Sequence, residues 1–292
     1  TRGESAPSPE LRAGGSSVAT MRRIVSRDNP HYRVLKKLLQ SGRERRRTGL
    51  AVLDGMHLID AYSRHCGIPV EIFVSDSGTG RPEIASYLES GQVGATITVL
   101  GDTLFAELAV VETPSGIMAV VDRPRPLEAR GPDMQADTVV LDGVQDPGNV
   151  GSILRSAAAA GFRQVLLSPD CAQAWAPKTL RAAMGAHFQL DVLEHCDLPA
   201  FLSAYRGQPV ATLLGAPTSL YSADLAGPVA WVFGSEGLGV RPAVAALTRL
   251  QVRIPMPGPS ESLNVAAAAA VCLFETVRRR QTEASPSPVA GG

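Results

Sequence analysis

Apolar and polar positions along this chain fall into two stretches of different rhythm. In the first, Val34, Leu35, Leu38 and Leu39 recur on one face at helical spacing just after Asn29-Pro30, which predicts a helix there. Short apolar runs at 50–53, 68–74, 96–100 and 115–121 predict strands, and residues 56–66 predict a helix. Such alternation implies a small three-layer α/β unit over residues 21–122. The Pro- and Arg-rich stretch 123–133 reads as a stiff, exposed linker.

The second stretch, 134–281, alternates more regularly. Strands are predicted at 138–141, 164–167, 210–214, 229–233 and 250–254, and helices near 150–160, 177–186, 199–205, 242–248 and 263–280. Most of these strands are apolar throughout, as expected for a parallel sheet covered on both faces. Ligands of such sheets sit beyond the carboxyl ends of the strands, so the segments just after each strand are where chemistry is sought. Residues 1–20 and 282–292 have the composition of disordered tails.

Composition changes this picture little. With 45% hydrophobic and 19% charged residues the chain can bury a full core. The formal net charge of +0 is silent about polyanionic partners, but its distribution is not. Ten Lys or Arg lie between Met21 and Leu50 against Asp28 and Glu44 alone, a solvated helix face or a phosphate-binding surface. Cys66, Cys171, Cys196 and Cys272 lack zinc-ligand spacing, so no metal is expected and the thiols suit a reducing, cytoplasmic compartment. The longest apolar run, 265–274, is about half of a membrane span, so no membrane partner is expected.

Three post-strand segments carry candidate chemistry. In Asp142-Gly-Val-Gln-Asp-Pro-Gly-Asn149, Pro-Gly predicts a turn and Asn149 a helix N-cap, with Arg155 on the second turn beyond it. Phe233-Gly-Ser-Glu-Gly-Leu-Gly239 follows a buried strand and frees backbone groups for a ligand. Its spacing is neither a dinucleotide fingerprint nor a phosphate loop, and Glu236 would repel phosphate, so a neutral or cationic ligand is favoured. In Ile254-Pro-Met-Pro-Gly-Pro-Ser-Glu-Ser-Leu-Asn-Val265, Ser260 or Ser262 can cap the last helix, which leaves Asn264 unexplained.

Together and in this order, the three segments resemble the motifs of the SpoU (TrmH) RNA ribose 2′-O-methyltransferases of the SPOUT superfamily, over roughly residues 138–280. The first unit is similar to that family's N-terminal, ribosomal-protein-like α/β substrate-binding domain. The resemblance implies a C-terminal trefoil-knotted domain with a parallel sheet, knotted from about 210 to 265, an exception to unknotted topology. It implies S-adenosylmethionine as cofactor, held by Thr212, Leu214, Gly215, Gly234, Ile254, Pro255, Met256, Ser262 and Leu263. It makes Arg155, Asn149, Glu236, Ser262 and Asn264 the catalytic set, and a homodimer the working form. Arg22, Arg23, Lys36, Lys37, Arg43, Arg45, Arg46 and Arg47 would then bind RNA phosphates, with large-subunit rRNA favoured over transfer RNA. A nucleotide-dependent enzyme and a non-catalytic RNA-binding protein of the same fold are the competing classes.

Overall fold

The computed structural model describes residues 21–90, 95–109, 113–124, 131–259 and 261–284. The predicted N-terminal tail, most of the predicted linker, Ser260 and residues 285–292 lie outside the described residues.

The first unit is a five-stranded sheet of β1 (Met21–Ile24), β2 (Leu50–Asp54), β3 (Glu71–Ser75), β4 (Thr96–Leu100) and β5 (Ile117–Asp122), ordered β1-β4-β3-β5-β2. Helices α1 (Pro30–Gln40), α2 (Gly42–Thr48), α3 (Met56–His65), α4 (Pro82–Glu89) and α5 (Asp102–Ala106) accompany it. The sheet is mixed, because β5 runs antiparallel to both β2 and β3. Helix α1 starts where Asn29 accepts a hydrogen bond from His31 N and Pro30 occupies the first turn; it buries Tyr32, Leu35 and Leu38. Strand β3 starts at Glu71, later than its apolar run, since Pro69 has no N–H for a ladder and Ile68 and Val70 are exposed. β1 was not predicted: its two arginines break the apolar pattern, which an edge strand tolerates.

The second unit is built from β6 (Thr138–Asp142), α6 (Pro147–Ala159), β7 (Gln164–Leu167), α7 (Pro177–Ala183), β8 (Asp191–Leu193) and α8 (Leu198–Ala204). It continues through β9 (Gln208–Thr212), β10 (Thr218–Ser219), β11 (Val229–Gly234), α9 (Pro242–Ala245), β12 (Leu250–Arg253) and α10 (Val265–Ala284). All neighbours in its sheet, ordered β10-β12-β9-β11-β6-β7-β8, pair in parallel. The uniformly apolar strands are buried on both faces: Val139 and Leu141 pack into one core cluster and Val140 into another. Helix α10 reaches Ala284, so residues 282–284, expected as tail, are helical.

The seam between the two units is held by named polar anchors as well as apolar packing. Arg181 pairs with the buried Asp54 carboxylate at 2.6 Å, and Ser115 Oγ donates to the same side chain. Arg123, expected in an exposed linker, instead pairs with Glu194 at 3.2 Å and lies over the Trp175 ring at 5.1 Å. Arg45, expected among the RNA-facing cations, is 4% exposed. Its guanidinium donates to the carbonyls of Leu38 and Leu39 at the end of α1 and to Gln173 Oε1 across the seam. Burial lowers its pKa from the ordinary arginine value. Arg45 is therefore a structural anchor and is not available to phosphate. Replacing Arg45 with alanine strands those acceptors and should cost about 2–4 kcal/mol in urea unfolding. A change within about 0.5 kcal/mol, the range of an ordinary surface substitution, would contradict the anchor role.

Candidate active site

The sheet reverses strand order around β6, β11 and β9, and a ligand is expected beyond their carboxyl ends. A cavity of about 600 Å³ opens there, between the ends of β9, β11 and β12 and the first turn of α10. Of the residues expected to hold a cofactor, Thr212, Leu214, Gly234, Ile254, Met256, Ser262 and Leu263 line it, whereas Gly215 and Pro255 do not. A second cavity of about 430 Å³, at the seam around Tyr62 and His187, contains none of the motif residues.

The glycine-rich loop is a closed excursion from the end of β11. Ser235 and Gly239 exchange two backbone hydrogen bonds of 3.0 Å, and Gly239 takes a left-handed φ of 69°. A Cβ at Gly234 would lie 1.9 Å from the Gly239 carbonyl carbon, so this glycine is required by the loop's own return. The loop is tied down by a residue whose role the sequence did not disclose. Gly234 pairs in register with Asp142 at the end of β6, and the buried Asp142 carboxylate accepts from Arg241 N at 2.8 Å and Arg241 Nε at 2.7 Å. Both ends of the excursion are thus fixed to Asp142. The hydrogen bond it donates to that carboxylate raises the Arg241 pKa. Asp142 was visible at the head of its motif, but no spacing rule links it to an arginine 99 residues later.

Glu236, in this loop, reaches the start of α6. Asn149 Nδ2 donates to Glu236 Oε1 at 2.8 Å, and the backbone N–H groups of Gln145 and Asp146 donate to its carboxylate at 3.4 Å. Partial burial pushes the Glu236 carboxyl up, yet these donors outweigh it and hold its pKa below the ordinary value. Asn149 was expected to be the N-cap of α6. The cap is Asp146, whose carboxylate accepts from Asn149 N at 2.8 Å, with Pro147 at the first helical position. That shift puts Asn149 inside the first turn, with its side chain free to bridge. Asn264 Nδ2 donates to Asn149 Oδ1 at 2.9 Å, while Asn264 Oδ1 accepts from Ala266 N and Ala267 N. Asn264 therefore caps α10 through these bonds. The result is a one-way series of donors from the start of α10 through Asn264 and Asn149 to Glu236.

Arg155 stands apart from this series. It is exposed, lies outside the cavity lining, and has no hydrogen bond or ion pair among the described residues. Of the basic residues expected to face RNA, Arg22 pairs with Glu71, Arg23 with Asp76 and Arg47 with Glu44. Lys36, Lys37, Arg43 and Arg46 have no ion pair among the described residues. Among those residues no group of three metal-ligating side chains stands together, and no helix is long and apolar enough to cross a membrane.

Comparison with known proteins places this geometry. The model of the SpoU rRNA Methylase family matches residues 137–274. An uncharacterised tRNA/rRNA methyltransferase of Synechocystis is 34% identical over 269 residues, covering 91% of this chain and 96% of that relative. The Bacillus subtilis 23S rRNA (guanosine(2553)-2'-O)-methyltransferase RlmP is 33% identical over 257 residues, covering 87% and 98%. Among solved structures, the SpoU methyltransferase AviRb of Streptomyces viridochromogenes, in complex with AdoMet, superposes with a TM-score of 0.78 at 26% identity, covering 87% of this chain and 99% of that one. An RNA 2′-O ribose methyltransferase superposes at 0.74 with 31% identity, covering 89% and 100%.

Proposed function

The chain belongs to the SpoU rRNA methylase family, and on that premise we propose that it transfers the methyl group of S-adenosylmethionine to a ribose 2′-hydroxyl of large-subunit rRNA. The observation that carries the site assignment is the donor series Asn264–Asn149–Glu236, which fixes an anionic carboxylate in a loop that lines the cavity. The residues present fit the cofactor. A cavity of about 600 Å³ is in the range of small-molecule sites, and apolar Ile254, Met256 and Leu263 with glycine-rich backbone suit a nucleoside. A carboxylate held ionised beside it suits a sulfonium and disfavours phosphate. When bound, the cofactor supplies an electrophilic methyl group.

The chain's own residues have two tasks: to aim the ribose oxygen and to ease loss of its proton. A guanidinium is always protonated, so Arg155 acts by holding the adjacent phosphate and stabilising charge on the oxygen rather than as a base. Asn149, Glu236, Ser262 and Asn264 keep the cofactor loop and the start of α6 in register. Arg155 is exposed and is not among the residues lining its own chain's cavity, which supports a homodimer in which two copies complete each site. The convergence of the segments after β9, β11 and β12 on one cavity supports a trefoil knot over about 210–265. In this reading residues 21–122 are an RNA-binding domain of ribosomal-protein type, 123–133 a connection, 134–281 the methyltransferase domain, and the cytoplasm the place of work.

The test is transfer of tritiated methyl groups to total RNA from cells lacking the protein, followed by separation of RNA classes and mapping of alkali-resistant ribose sites. Label in large-subunit rRNA is the expected result. Label confined to transfer RNA would overturn the substrate, and cofactor binding with no transfer would favour a non-catalytic binder.

A further inference from the structure

Among the described residues Arg43 and Arg46 are exposed cations of α2 without a carboxylate partner, and α2 does not stand free of the second unit. A Cβ at Gly42 would fall 2.0 Å from the Gln173 side-chain oxygen, and Arg45 donates to the same amide. The Gln173 carbonyl accepts from Thr179 Oγ1 at 2.8 Å and from Ala176 N at 3.2 Å, which makes Gln173 and the first turn of α7 one piece. Helix α6 touches α7 through another glycine. A Cβ at Gly151 would lie 2.6 Å from the Thr179 carbonyl oxygen and 2.5 Å from Ala182 Cβ.

Residues four apart on a helix share a stripe. Arg46 thus sits one turn beyond the glycine at which α2 meets this segment, and Arg155 one turn beyond the glycine at which α6 meets it. In the first turn of α7, the helix that follows Gln173 and packs on α6, Lys178 is exposed. Neither Arg46, Lys178 nor Arg155 has an ion pair or hydrogen bond among the described residues. Three carboxylates near the seam are already engaged: Glu44 with Arg47, Asp54 with Arg181, and Glu194 with Arg123. A set of cations without ion pairs on α2, α7 and α6, elements joined through Gln173 and Gly151, is an electrostatic path for a polyanion.

We propose that Lys178 is an RNA phosphate contact that joins the basic helix α2 to Arg155, so that one RNA backbone crosses the seam over α2, α7 and α6 in that order. This rests on the reading of the chain as an RNA ribose methyltransferase and adds the route by which RNA reaches it. Phosphate contacts of this kind position the strand without reading its bases, so Lys178 sets register on the enzyme and not sequence preference.

The experiment measures binding of purified large-subunit rRNA to the full chain across a salt series, with methyl transfer and cofactor affinity measured in parallel. Lys178→Gln should weaken RNA binding about three- to tenfold and make the slope of log affinity against log salt shallower by about 0.7–0.9, the value of one lost phosphate contact. Cofactor affinity should be unchanged, and Lys178→Arg should restore both RNA affinity and slope. Unchanged slope and affinity in Lys178→Gln, with a wild type that binds and methylates rRNA, would overturn the path while leaving the enzyme reading intact. A wild type that neither binds nor methylates rRNA would overturn both.

Discussion

Replacing Arg155 with alanine should lower methyl transfer about a thousandfold or more while leaving cofactor affinity as it was. The expectation combines two observations. Arg155 is exposed and makes no hydrogen bond or ion pair among the described residues, so its truncation strands no polar partner there. It also lies outside the cofactor cavity. An arginine of that kind contributes to folding within about 0.5 kcal/mol, which leaves substrate and transition state as the places where its charge is felt. Arg155→Lys should recover only part of the rate, because a point charge cannot reproduce the fork that a guanidinium offers to phosphate. Single-turnover transfer and calorimetric cofactor binding on the same preparations separate the cases. Loss of both in parallel would mean that Arg155 shapes the cofactor site, and the assignment would fail.

The fate of Arg155 and Arg45 shows where sequence reading succeeds and where it stops. Strands β6 and β11 were legible because their central residues, buried on both faces, are apolar, and the end of β11 located the cavity. Strands β8 and β10 were not, being three and two residues long at or near the β8 and β10 edges of the sheet. Within a run of arginines, composition cannot say which one turns inward; Arg45 does so because two carbonyls at the end of α1 and Gln173 converge on it. The cap of α6 was decidable in principle. Asp146 and Asn149 are both good caps, and Pro147, which belongs at the first helical position, selects Asp146. The bridge that this frees Asn149 to make spans 87 residues to Glu236 and 115 to Asn264, and no local pattern encodes such a contact.

That bridge yields a prediction with a sign of its own. In the wild type, hydrogen bonds keep the Glu236 pKa below its ordinary value of 4.5, so the ionised form supports the closed loop. That support is complete above the ordinary pKa and is lost only as pH falls through the lowered one, leaving activity near neutrality insensitive to this group. Asn149→Asp reverses the situation. The donor at 2.8 Å becomes a second carboxylate, Asn264 still donates to it, and the pair repels at neutral pH. Activity at about pH 8 should fall at least tenfold, on the order of one lost charge-assisted contact plus repulsion. Acidification towards about pH 5.5 should then restore part of it relative to wild type, because one shared proton turns the repelling pair into a hydrogen-bonded one. Asn149→Ala loses the donor without adding a charge, so its ratio to wild type should stay flat over the same range. If the aspartate and alanine variants show the same pH profile, Glu236 is not held through Asn149 in the working enzyme, and the donor series does not organise the site.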